Sequence, residues 1–162
     1  MNIFVLHEDP ITAAKHHCDK HVVKMILESA QLLCTAHREF SDDVPQNFYK
    51  ATHRNHPCAK WVRESKSNYL WVYGLLHGLS AEYTNRYGKV HLTYTKLGDS
   101  LAEIPKGIED YWPTNFVQCM PDEYKDPDPV VAYRNYYRGD KAYMAQWQYS
   151  KIPTWWGEGE SN

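Results

Sequence analysis

Two imidazoles, an ammonium, a carboxylate and an amide recur along one short stretch of this chain. His17, His21, Lys24, Glu28 and Gln31 follow the spacing i, i+4, i+7, i+11 and i+14. At roughly 100° per residue this confines them to an arc of about 80° on a helix. Each type can do chemistry there. An imidazole carries protons near neutrality or binds a metal. A lysine crowded by other cations can attack a carbonyl or sugar carbon through a Schiff base. A carboxylate holds that lysine charged, or acts as general acid or base. His17, His21, Lys24 and Glu28 are therefore the candidate catalytic residues. Most of the remaining circumference, from Val22 to Cys34, is apolar. A mostly apolar helix is expected to be mostly buried, so its polar seam either lines a cavity or closes into a hydrogen-bonded structural network.

Three further constellations stand beside the seam. In Thr52-His53-Arg54-Asn55-His56-Pro57-Cys58, the histidines precede a helix start, where free backbone N–H groups favour an anion. With Cys58 they could equally complete a metal site begun by the first helix. No cofactor is favoured, since no H-E-x-x-H signature is present; a divalent metal on His17, His21, His53 and His56 is the alternative. On the long helix, Trp71, Leu75, Leu79, Glu82 and Arg86 share a face. Glu82 and Arg86 pair at i, i+4, while Arg86, Lys89 and His91 form a candidate phosphate-binding corner. Last, Tyr133, Arg134 and Tyr137 interleave rings and charge in a pattern suited to base stacking and phosphate contact, or to a helical core with hydroxyls at its surface.

The elements that must position these groups read as helices. Asp9-Pro10 starts a first helix expected to run to about His37, preceded by a short extended apolar segment from Asn2 to Leu6. Pro57 opens a second stretch with a break near Ser65. A long helix follows from about Ser67 to Tyr87, closed by Gly88. A short helix is expected within Thr93 to Glu103, then a proline-rich irregular crossing over 104–128. Asp128-Pro129 repeats the helix start and leads to Arg138, with a last helix near Lys141 to Gln148. The reading is all-α: a single compact helical domain over residues 1–156 with a flexible tail over 157–162.

The chain has 162 residues, 43% hydrophobic and 23% charged, which fits one globular domain. A net charge of −2 argues against broad, non-specific binding to a phosphate backbone. Cys18, Cys34, Cys58 and Cys119 form no C-x-x-C pair and read as the reduced thiols of a cytoplasmic protein. No segment reads as a signal peptide or membrane span.

The run Cys18-Asp19-Lys20-His21-Val22-Val23-Lys24-Met25, with Asn55-His56-Pro57, Glu82-Tyr83 through Arg86-Tyr87-Gly88-Lys89, and Met120 to Lys125, resembles a family of small phage-encoded helical proteins of unassigned activity. More remotely it resembles the pyrimidine-dimer DNA glycosylases of the phage endonuclease V type. That likeness implies a glycosylase-like helical arrangement, DNA or a nucleotide as partner, and a catalytic cleft built on the first helix, Asn55-His56-Pro57 and Glu82 through Gly88. In those enzymes an N-terminal amine attacks the sugar carbon and a glutamate of the first helix assists. Here Glu28 is the glutamate of that helix. The bulky Asn2 implies that Met1 is retained and would carry the amine. The expectation is thus an enzyme that processes a nucleobase or nucleotide, the alternatives being a metal-dependent hydrolase or a non-enzymatic phage regulatory protein.

Overall fold

A computed structural model describes residues 2–160, with side chains up to Gly157. Met1, to which the attacking amine was assigned, lies outside the described residues, as do Ser161 and Asn162 of the expected flexible tail. Six α-helices make up the fold, and among the described residues there is no β-strand. Among the described residues no helix is long and apolar enough to cross a membrane.

The first expected helix is two. α1 (Pro10–His16) begins as Asp9-Pro10 predicts, with the Asp9 carboxylate accepting from the Thr12 amide and hydroxyl, each at 2.8 Å. α2 (Asp19–Phe40) is a separate helix, because His17 and Cys18 are extended. The break has a local cause. The His17 ring donates from Nδ1 to the Ala13 carbonyl at 2.7 Å, taking the acceptor that the next turn of helix would use. Arg86 then fastens the junction. Its guanidinium donates to the carbonyls of Lys15 and His17, left without helical partners, and to the carboxylates of Asp19 and Glu82.

α4 (Lys66–Tyr87) is the central helix. The Ser65 hydroxyl caps it at the Asn68 amide, and Gly88 ends it at φ +72°, the left-handed conformation that favours glycine. α1 crosses it at Gly74 and Gly78; a Cβ on Gly78 would lie 2.8 Å from the Ala14 Cβ, so that approach needs glycine. α2 packs along another side of α4, and α3 (Pro57–Val62) and α5 (Leu92–Leu97) fill in against the pair. The core is built from Ile26, Leu32 and Leu33 of α2, Trp61 of α3, and Tyr69, Leu75, Leu76 and Leu79 of α4.

α2 is buried along much of its length, with Val23 and Leu27 exposed opposite the core. One expectation of helicity is corrected. The last helix near 141–148 does not form. α6 (Pro129–Asp140), capped by Asp128, runs through Gly139 and ends in a turn. Backbone groups of the following segment go instead to Asp19: the Asp19 amide donates to the Gln146 carbonyl, and the Gln148 amide to the Asp19 carboxylate. The segment 104–128 is irregular as expected, pinned by Trp61 Nε1 on the Asn115 carbonyl and by the Gln118 amide, which bonds both the N–H and the C=O of Asp126.

Candidate functional site

The N-terminal arm, residues 2–6, is irregular, turns tightly at Val5 where the Leu6 amide donates to the Phe4 carbonyl, and inserts Ile3, Phe4, Val5 and Leu6 into the core. Three remote groups seat it. The Asn2 side chain donates to the Cys119 carbonyl at 2.7 Å, its oxygen lies 3.2 Å from the Tyr133 hydroxyl, whose proton goes to the Val117 carbonyl at 2.7 Å, and Arg134 Nε donates to the Leu6 carbonyl. Where the arm meets the seam of α2, a cleft of about 200 Å³ opens. It is lined by His21, Lys24, Met25 and Glu28 of α2, by Asn2 and Phe4, and by His56, Cys119, Tyr136 and Lys141.

His21 forms one wall. Phe4 packs on its ring at a centroid distance of 4.5 Å, and Tyr136 stacks on Phe4 beyond it, interplanar angle 19°. His21 Nδ1 lies 2.6 Å from the Tyr137 hydroxyl. That hydroxyl also accepts from the Cys18 amide at 3.4 Å and is 3.6 Å from the Cys18 sulfur. Its single proton goes to the nearer and better acceptor, Nδ1, which assigns the ring proton of His21 to Nε2. Burial first, then the positive charge of its neighbours, above all His17, push the imidazole down to about 2. His21 is thus a neutral, fixed N–H donor at neutral pH, a correction to the proton carrier expected from its residue type.

Glu28 is 14% exposed and lies 3.9 Å from the ammonium of Lys24, which is 69% exposed and reaches toward solvent. Lys141, at the end of α6, adds a second cation 5.1 Å from the centre of the Tyr136 ring. The cleft therefore joins a carboxylate, two ammonium groups, a neutral imidazole donor and an aromatic face.

Its floor carries sulfur. His56 caps α3 by accepting from the Cys58 amide at 3.1 Å, and the Cys58 and Cys119 sulfurs lie 3.6 Å apart. The Cys58 thiol donates to Cys119, and with the Lys125 charge this draws the Cys119 thiol below its ordinary range; the same hydrogen bond, with burial, pushes Cys58 up. Burial lowers His56 as well.

The other expected site residues lie elsewhere. His17 is buried behind His21, at a ring separation of 6.3 Å, and burial lowers it to about 4. His53 is exposed on its loop at φ +50°, bonded to the Thr52 hydroxyl, so His17, His21, His53 and His56 do not converge on one metal. Arg86 and Glu82 belong to the α1–α2 junction, where the guanidinium is 1% exposed, so they form no phosphate corner with the exposed Lys89. His91 caps α5 at the Thr93 amide. Tyr133 and Tyr137 are fully buried and support the cleft from behind, and Arg134 lies over the Trp155 ring. Tyr136, between the two expected tyrosines, is the ring that reaches the cleft. Asn2, Phe4, Cys119 and Lys141 were not anticipated as site residues; the apolar segment from Asn2 to Leu6 and the Met120-to-Lys125 motif were the sequence signals near the first three.

Comparison of the chain with models of protein families, with curated proteins and with solved structures finds no match.

Proposed function

We propose that the protein is an enzyme that processes a nucleobase or nucleotide in the cleft of His21, Lys24, Glu28, Tyr136 and Lys141. The observation that carries this reading is the convergence of a largely buried carboxylate with two cations and an aromatic face in about 200 Å³, a space for one heterocycle rather than a polymer. Tyr136 offers a stacking face and Lys141 and Lys24 offer charge to a phosphate. The Nε2–H of His21 suits a carbonyl oxygen on a base. Glu28 is the group placed to take or give a proton, or to stabilise positive charge developing on the sugar. The likeness to dimer glycosylases, which carry a glutamate on the corresponding helix, points the same way. If the substrate is duplex DNA, its base must leave the stack to enter.

The test uses the full chain on oligonucleotides bearing abasic sites, pyrimidine dimers and other base lesions, and on free nucleotides. Base release, strand scission and borohydride-trapped adducts are read together. The expected result is one such activity, reduced about 10²- to 10⁴-fold by Glu28→Gln with the fold retained. Absence of all three readouts and of nucleotide binding, in protein verified as folded, overturns the reading.

A further inference from the structure

At the floor of the cleft, three donor atoms of soft or borderline character meet. One each from His56, Cys58 and Cys119, they lie within 4.8 Å of one another, and the two sulfurs are 3.6 Å apart. Tetrahedral zinc with thiolate bonds of about 2.3 Å sets its sulfurs about 3.8 Å apart, so the pair needs almost no movement and the imidazole roughly 1 Å. The scaffold around them is fixed. Cys119 is held at its amide by the Tyr133 hydroxyl and at its carbonyl by the Asn2 side chain, whose oxygen lies 3.6 Å from the Cys58 sulfur. Such outer contacts are what orient ligands in metal centres.

We propose that His56, Cys58 and Cys119 form a three-ligand site for a divalent zinc-like ion. Two thiolates and a neutral imidazole balance the ion's charge, and this mixed sulfur–nitrogen set selects zinc over the hard cations magnesium and calcium. Cys58 is buried, while His56 and Cys119 line the cleft, so the fourth coordination position faces the space next to Glu28. On binding, the His56 ring exchanges its bond from the Cys58 amide for the metal. The inference does not rest on the nucleotide reading, because it is tested by metal binding alone.

The reduced full-length chain is titrated with Co²⁺ under exclusion of oxygen. One equivalent is expected to bind, giving a thiolate-to-cobalt charge-transfer band and the visible bands of a tetrahedral site, both displaced by Zn²⁺. Cys119→Ser removes a ligand that is only half-buried. His56→Asn removes the imidazole but leaves a side chain able to cap α3. Each is expected to weaken binding by more than about tenfold, while Cys34→Ala, outside the cluster, leaves it unchanged. Far-UV circular dichroism verifies the fold of each variant. The proposal is overturned if the reduced, folded protein shows no charge-transfer band. It is equally overturned if both ligand variants bind as the parent does, or if the two thiols close to a disulfide under mild oxidation while the reduced chain takes up no metal.

Discussion

His21 and His17 sit side by side as neutral imidazoles, and their neutrality is a condition of the fold. An unfolded histidine takes up its proton near 6.5, whereas burial holds His17 to about 4 and His21 to about 2 in the folded chain. Between those values the unfolded state binds more protons, so stability rises with pH and falls on acidification. The contribution is fully present above about pH 6.5 and is lost as pH drops toward the folded values. From pH 7 to pH 5 each ring is expected to cost about 2 kcal/mol, read by urea denaturation across that range. His17→Gln should flatten the slope in proportion, whatever it does to the absolute stability. A pH-independent free energy of unfolding from 7 to 5 would contradict the assignment of both rings as neutral.

Among the elements, the α1–α2 junction is the most heavily tied. Arg86 satisfies two carbonyls and two carboxylates with a guanidinium that is 1% exposed. Removing one partner of such a buried cluster strands the rest, at a cost of about 3–5 kcal/mol. Arg86→Met is expected to show that loss in equilibrium unfolding, and hydrogen exchange should quicken around residues 15–21. The same junction marks the limit of what helical periodicity could show. The boundaries of α4, the Asp-Pro starts of α1 and α6 and the break at Ser65 were legible because each is set by a local cap or by a proline. The break at His17 was not, because a side chain competing for the Ala13 carbonyl leaves the hydrophobic pattern unchanged. Nor was the missing helix at 141–148, whose backbone partners on Asp19 lie far away in sequence. The periodicity did place His21, Lys24 and Glu28 on one face, and those three do line the cleft.

For the molecule as a whole, the other half of the cleft arises only from tertiary structure. Cys119 and Lys141 come from an irregular crossing and the end of a helix, with no periodic signal, and Tyr136 differs from its neighbours Tyr133 and Tyr137 only in which way its helix is turned. The C-terminal segment braces that helix. Trp155 is buried, donates from its indole to His16, carries Arg134 and Arg138 against its ring, and accepts from Arg138 at its carbonyl. Trp155→Ala is expected to destabilise the protein by about 3–5 kcal/mol. Being more than 100 residues away from His16, it should do so while shifting NMR resonances of α1. A loss confined to the last ten residues would mean that the tail is an ornament and not a brace.

The arm that builds one wall of the cleft is seated by partners far away along the chain. Asn2 donates to Cys119, Leu6 accepts from Arg134 and the Asn2 oxygen meets the Tyr133 hydroxyl, contacts that close loops of well over a hundred residues and so form slowly. During folding the Ile3-Phe4-Val5-Leu6 stretch can rest on α2, where Phe4 packs on His21, but the rings of Tyr133, Tyr136 and Tyr137 cover it only once α6 docks, and until then it is a partly exposed apolar segment that invites wrong partners. A chain cut short before α6 would therefore lack the Tyr136 and Lys141 side of the cleft and leave a sticky apolar segment half-covered as well.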